Sequence, residues 1–114
     1  MKSKILALSK NEEFKKLLQQ KKVSNKYVTI FFGYLNNKNK NFLNISFVTK
    51  KKIGNTVKRN KIKRRLRNII NDTFKNTSIN LNYSYLVIAT PTMLNNEFKI
   101  IKETLFQEFI KINK

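Results

Sequence analysis

Lys50-Lys51-Lys52-Ile53-Gly54-Asn55-Thr56-Val57-Lys58-Arg59-Asn60-Lys61-Ile62-Lys63-Arg64-Arg65-Leu66-Arg67 is the stretch from which the rest of the chain is read. Gly54-Asn55 breaks the pattern before it, and an Asn ahead of a helical run caps it by accepting a bond from a free backbone N–H. From there Ile62, Leu66, Ile69, Ile70 and Phe74 recur at helical spacing, which predicts an amphipathic helix to about Asn76. On the same wheel Lys61, Lys63, Arg64, Arg65 and Arg67 fan out opposite or beside that stripe. One face is built to dock on a sheet; the other carries positive charge alone. A face that merely meets solvent usually mixes Lys with Glu to gain weak pairs one turn apart. This one has no acid, so its charges repel one another unless a polyanion joins them.

Upstream, Leu43, Ile45 and Phe47 alternate with Asn44 and Ser46, the pattern of a half-buried strand. Tyr27 to Leu35 is rich in β-branched and aromatic residues and predicts another. The polar run 36–40 between them has hairpin length. Val23-Ser24 adds a short extra strand. Further back, Ser9 followed by Glu12 fits a capping box, and Phe14, Leu17 and Leu18 then share one helical face. Downstream, Tyr83 to Thr90 predicts a strand ended by Pro91. A last amphipathic helix covers Phe98 to Ile110, with Phe98, Ile101, Leu105 and Phe109 facing in. The order helix, hairpin, helix, strand, helix makes an α+β chain, and 114 residues suit a single domain spanning 1–114.

The net charge is +19, from 25 Lys and Arg against 6 Asp and Glu. No acid occurs between Glu13 and Asp72, an interval holding seven basic residues from Lys15 to Lys40 and ten from Lys50 to Arg67. An AT-rich genome explains Lys in place of Arg, but not an absence of acids across half the chain. A field of this sign and size favours a nucleic acid. The absence of Cys fits a reducing cytoplasm. Ile5-Leu6-Ala7-Leu8 is too short for a signal-peptide core or a membrane span. No membrane partner is expected.

Catalysis by the polypeptide is not expected. With no His and no Cys there is no ordinary general base near neutral pH and no thiolate nucleophile. Glu12 and Glu13 are the only adjacent acids, and neighbours on a helix point apart, so they form neither a catalytic pair nor a metal site.

The run Lys51 to Arg64 resembles the signature segment of the bacterial ribonuclease P protein component, roughly K-x-x-G-x-A-V-x-R-N-x-x-K-R. Thr56 stands where Ala is common, and Lys61 where the family places a second Arg. Weaker similarity covers Asn11-Glu12-Glu13-Phe14, Phe47-Val48-Thr49-Lys50 and Val87-Ile88-Ala89. The resemblance implies an αβββαβα domain with a small mixed sheet packed against helices, like the second domain of ribosomal protein S5, and a left-handed βαβ crossover. It implies a subunit of the enzyme that removes the 5′ leader from precursor tRNA. The RNA subunit performs the hydrolysis with Mg²⁺ bound mainly through RNA, and the protein alone holds no cofactor. The expected partners are ribonuclease P RNA, in a 1:1 complex, and the leader. The expected RNA-binding residues are Lys51, Lys52, Asn55, Lys58, Arg59, Asn60, Lys61, Lys63, Arg64 and Arg67. Phe14 matches an aromatic position of the leader cleft, Leu18 stands one turn on, and Tyr27, Phe31 and Tyr34 are further cleft candidates. The alternative is a structural RNA-binding protein of ribosomal type using the same basic helix. A DNA-binding regulator is disfavoured, because no short helix–turn–helix partner precedes that helix.

Overall fold

The computed structural model describes residues 5, 6, 8, 11–35, 42–76, 79–95 and 97–112. A five-stranded sheet is formed by β1 (Ile5–Leu6), β2 (Lys21–Ser24), β3 (Val28–Tyr34), β4 (Leu43–Val48) and β5 (Tyr83–Ala89), in spatial order β1-β4-β5-β3-β2. Three helices accompany it: α1 (Asn11–Leu18), α2 (Thr56–Asn76) and α3 (Phe98–Ile112). Short 3₁₀ turns at Lys51–Ile53 and Pro91–Leu94 lead into α2 and out of β5. The radius of gyration, 13.4 Å, is what one packed domain of this length should have.

β5 is the centre. It pairs antiparallel with β3 and parallel with β4, and β2 extends the β3 side antiparallel. Parallel neighbours cannot be joined by a tight turn, so the chain between β4 and β5 must cross over the sheet, and α2 is that crossover. Residue alternation along each strand then divides the molecule. Val28, Ile30 and Phe32 with Leu43, Ile45, Tyr85, Val87 and Ala89 meet Ile62, Leu66, Ile69 and Ile70 of α2 and Ile101, Leu105 and Phe109 of α3 in one large core. The other face carries Phe31, Val48, Leu86 and Ile88, which α1 covers through Phe14 and Leu17, joined by Leu8. Burial on both sides explains why β5 reads as a continuous apolar run rather than an alternating one.

The predicted helices and strands are all present, with two additions, but the expected hairpin is not: β5 lies between β3 and β4, so those two strands do not pair, and the hairpin-like neighbours are β2 and β3. β2 begins two residues earlier than expected, at Lys21, because pairing with β3 recruits two lysines of low strand propensity. β1 was not foreseen: a two-residue strand has no readable period and exists because Ile5 and Leu6 pair with Leu43 and Asn44. The observed order is therefore βαβββαβα. The Ser9 half of the expected capping box and the loop at 36–40 lie outside the described residues.

Candidate nucleic-acid interface

The interface is assembled by the approach to α2. Ile53 is buried and anchors the 3₁₀ turn, leaving Lys51 and Lys52 exposed. Gly54 follows with φ 152°, in the region where L side chains are strained, and a Cβ there would lie 2.7 Å from Cδ of Lys58. Asn55 then caps α2: its Oδ1 accepts a hydrogen bond from the Lys58 backbone N–H at 3.0 Å. The Arg59 N–H bonds to the Asn55 carbonyl at 3.0 Å and starts the helical ladder.

Past this start the helix separates its two jobs. Ile62, Leu66, Ile69 and Ile70 go to the core, while Lys58, Asn60, Lys61, Lys63, Arg64 and Arg67 are exposed. Val57, Asn60, Lys63, Arg64 and Arg67 line a shallow groove of about 520 Å³ on the outer side of the helix. No acid stands in this wall. Such a groove suits a phosphodiester chain: the guanidinium groups offer forked donors, and Asn60 offers both a donor and an acceptor.

Of the expected RNA-binding residues, Asn60, Lys63, Arg64 and Arg67 are brought together in this groove, while Lys51, Lys52, Asn55, Lys58 and Lys61 are exposed around the start of the helix without lining it. Arg59 is half-buried; its Nη2 reaches Thr56 Oγ1 at 3.5 Å, and its Nε is shielded from solvent without a hydrogen-bond partner among the described residues. Arg65, which the wheel places in the same basic fan, is turned to another use. Its Nη1 donates to the Met93 carbonyl at 3.0 Å and ties α2 to the turn after β5. Val57 lies in the quoted run but was not singled out. The signal was there: it occupies the same helical face as Asn60, Arg64 and Arg67.

The expected cleft residues do not all meet. Phe14 and Phe31 share the α1 face of the sheet, where Lys22 Nζ stands 5.9 Å from the Phe31 ring centroid. Leu18 is exposed beside them but belongs to neither apolar cluster. Tyr27 is a correction. It is wholly buried in the large core, so its ring presents no surface to a base. Tyr34 is a second correction: it is exposed, but it sits on the opposite side of β3 from Phe31 and packs on Tyr83 with ring centroids 4.9 Å apart. Strand alternation separates Tyr34 from Phe31; Tyr27 precedes the regular strand and folds inward.

Among the described residues no three His, Cys, Asp or Glu side chains come together to hold a metal ion, and no helix is long and apolar enough to cross a membrane. Asp72 of α2 pairs with Lys102 of α3 at 2.5 Å, and the ammonium holds the Asp72 carboxyl below the usual carboxylate range.

Comparison with known proteins places this arrangement. Residues 3–113 match the family model described as Ribonuclease P. The ribonuclease P protein component of Mesomycoplasma hyopneumoniae is 34% identical over 113 residues, covering 97% of this chain and 92% of that one. Its counterpart in Carboxydothermus hydrogenoformans is 32% identical, covering 94% and 90%. The solved RNase P protein of Staphylococcus aureus superposes with a TM-score of 0.76 at 25% identity, covering 95% of this chain and 94% of that one. That of Thermotoga maritima shares the fold, with a TM-score of 0.75 at 21% identity and coverage of 91% and 94%. None of these relatives lends support to a ribosomal role.

Proposed function

This chain belongs to the ribonuclease P protein family and is the protein subunit of that tRNA-processing endoribonuclease, and from that premise we propose how its surfaces divide the work. The enzyme's RNA is its partner. The outer face of α2, from Lys51 to Arg67, grips that RNA, and the RNA performs the hydrolysis with Mg²⁺ held through its own phosphates. The supporting observation is the acid-free groove of Asn60, Lys63, Arg64 and Arg67, set directly opposite the buried stripe of the same helix. Each Lys or Arg that meets a phosphate releases condensed counterions, so affinity falls steeply with salt. Asn60 hydrogen-bonds sugar or phosphate oxygens between the charges.

The 5′ leader of precursor tRNA lies on the α1 face. Phe14 and Phe31 offer ring surface to unpaired bases there, with Lys22 beside Phe31 to meet the backbone. Tyr27 and Tyr34 take no part. One protein binds one RNA, in the cytoplasm. By adding cationic charge, the protein replaces part of the Mg²⁺ that the RNA needs to fold and to hold its substrate. Addition of this chain to its cognate RNA should therefore lower the Mg²⁺ concentration required for leader removal. A cleavage assay across a Mg²⁺ series tests this, and superimposable curves with and without protein would contradict it.

A further inference from the structure

The groove on α2 has one lining residue that electrostatics does not explain. Val57 is 73% exposed, and it stands in a wall otherwise made of Asn60, Lys63, Arg64 and Arg67. Valine is normally buried, and a β-branched residue is not favoured in a helix by propensity. Neither burial nor helix formation accounts for it. The other large hydrophobics that stand exposed among the described residues, Leu18, Tyr34 and Ile100, lie outside the basic run. Val57 is the one wholly apolar side chain among the residues that line the groove.

Val57, Asn60, Arg64 and Arg67 follow the spacing i, i+3, i+7, i+10 and form a continuous stripe on one side of α2. At a rise of about 1.5 Å per residue the stripe is roughly 15 Å long. It is apolar at the N-terminal end, amide in the middle and cationic beyond. A phosphate gains nothing from a valine. A ribose does: its C–H face is apolar, its hydroxyls are polar, and its phosphates lie to either side. Resting on the reading that α2 grips ribonuclease P RNA, we infer that Val57 is a ribose-packing residue. It seats the C–H face of one nucleotide's sugar, with Asn60 one turn away to hydrogen-bond a hydroxyl and Arg64 and Arg67 holding the following phosphates. The contact adds to the phosphate contacts in fixing the register of the RNA strand along the helix.

Packing and charge respond differently to salt, and this supplies the test. Affinity of the full chain for ribonuclease P RNA is measured over a KCl series for wild type, Val57→Ala and Arg64→Gln. Removal of two methyl groups from a packed contact should weaken binding roughly five- to tenfold at every salt concentration. The slope of log Kd against log[KCl] should stay at the wild-type value, whereas Arg64→Gln should lower it by about one. Hydroxyl radicals attack ribose C–H bonds, so Val57→Ala should also unmask one or two adjacent sugars that wild type protects. Since Val57 is exposed, the melting temperature should hardly move, and circular dichroism will verify that. Unchanged affinity of Val57→Ala, a shallower slope, or an unaltered protection pattern would each overturn the assignment while leaving RNA binding by α2 intact. A wild-type chain that fails to bind this RNA would overturn both.

Discussion

Residues that look alike in the sequence divide sharply in the structure. Arg64 and Arg65 are adjacent cations on one helix, yet Arg64 lines the groove while Arg65 reaches the Met93 carbonyl. The wheel placed both in the basic fan, because the partner of Arg65 sits on an element distant in sequence. Arg65→Ala should therefore cost about 1 kcal/mol of folding stability, the usual worth of such a bond, and leave the salt slope of RNA binding unchanged. Arg64→Gln should show the reverse. Denaturant unfolding and salt-titrated binding, run on both variants, check the contrast. Gly54 was legible as a break but not as a strained position. With φ 152° and the Lys58 side chain in the way, Gly54→Ala should destabilise the chain by roughly 1–3 kcal/mol, read from its urea midpoint.

At the scale of elements, long periodic segments could be read and short or context-dependent ones could not. The stripe of α2, the alternation of β4 and the apolar run of β5 all announced themselves. β1 did not, since two residues carry no period and their pairing with β4 is a tertiary event. Tyr27 misled because it precedes β3 and folds into the core, so strand alternation does not reach it. The candidate site was legible along α2 for a related reason: a helix displays its faces in one sequence window, whereas a cleft joins residues from several. The contact of α2 with α3 has a pH signature. Lys102 depresses the proton affinity of Asp72 in the folded chain, so on acidification the unfolded chain is protonated first. The contribution is present at neutral pH and fades as pH falls below about 4. Asp72→Asn should lower the melting temperature slightly at pH 7, where the partly exposed pair contributes modestly, and make no difference well below pH 4, so that the acid limb of the profile flattens.

For the whole molecule the governing number is +19. Charges of one sign crowded onto one surface oppose compaction, and anions that settle among them favour the folded state by mass action. Sulfate or phosphate should raise the melting temperature more than chloride at matched ionic strength, with Arg59, Lys63 and Arg64 the sites of gain. Thermal melts that depend on ionic strength alone would contradict this.

The crossover connection has a mechanical consequence. Because α2 joins two neighbouring parallel strands at the middle of the sheet, it behaves as a beam clamped at both ends. It cannot hinge outward as a flap without exposing Ile62, Leu66, Ile69 and Ile70, which are buried against the sheet. Load applied by the polynucleotide is thus carried into the stiffest part of the protein, and mutual adjustment on docking falls to flexible lysine and arginine stems and to the RNA, which conforms to a template that holds its shape.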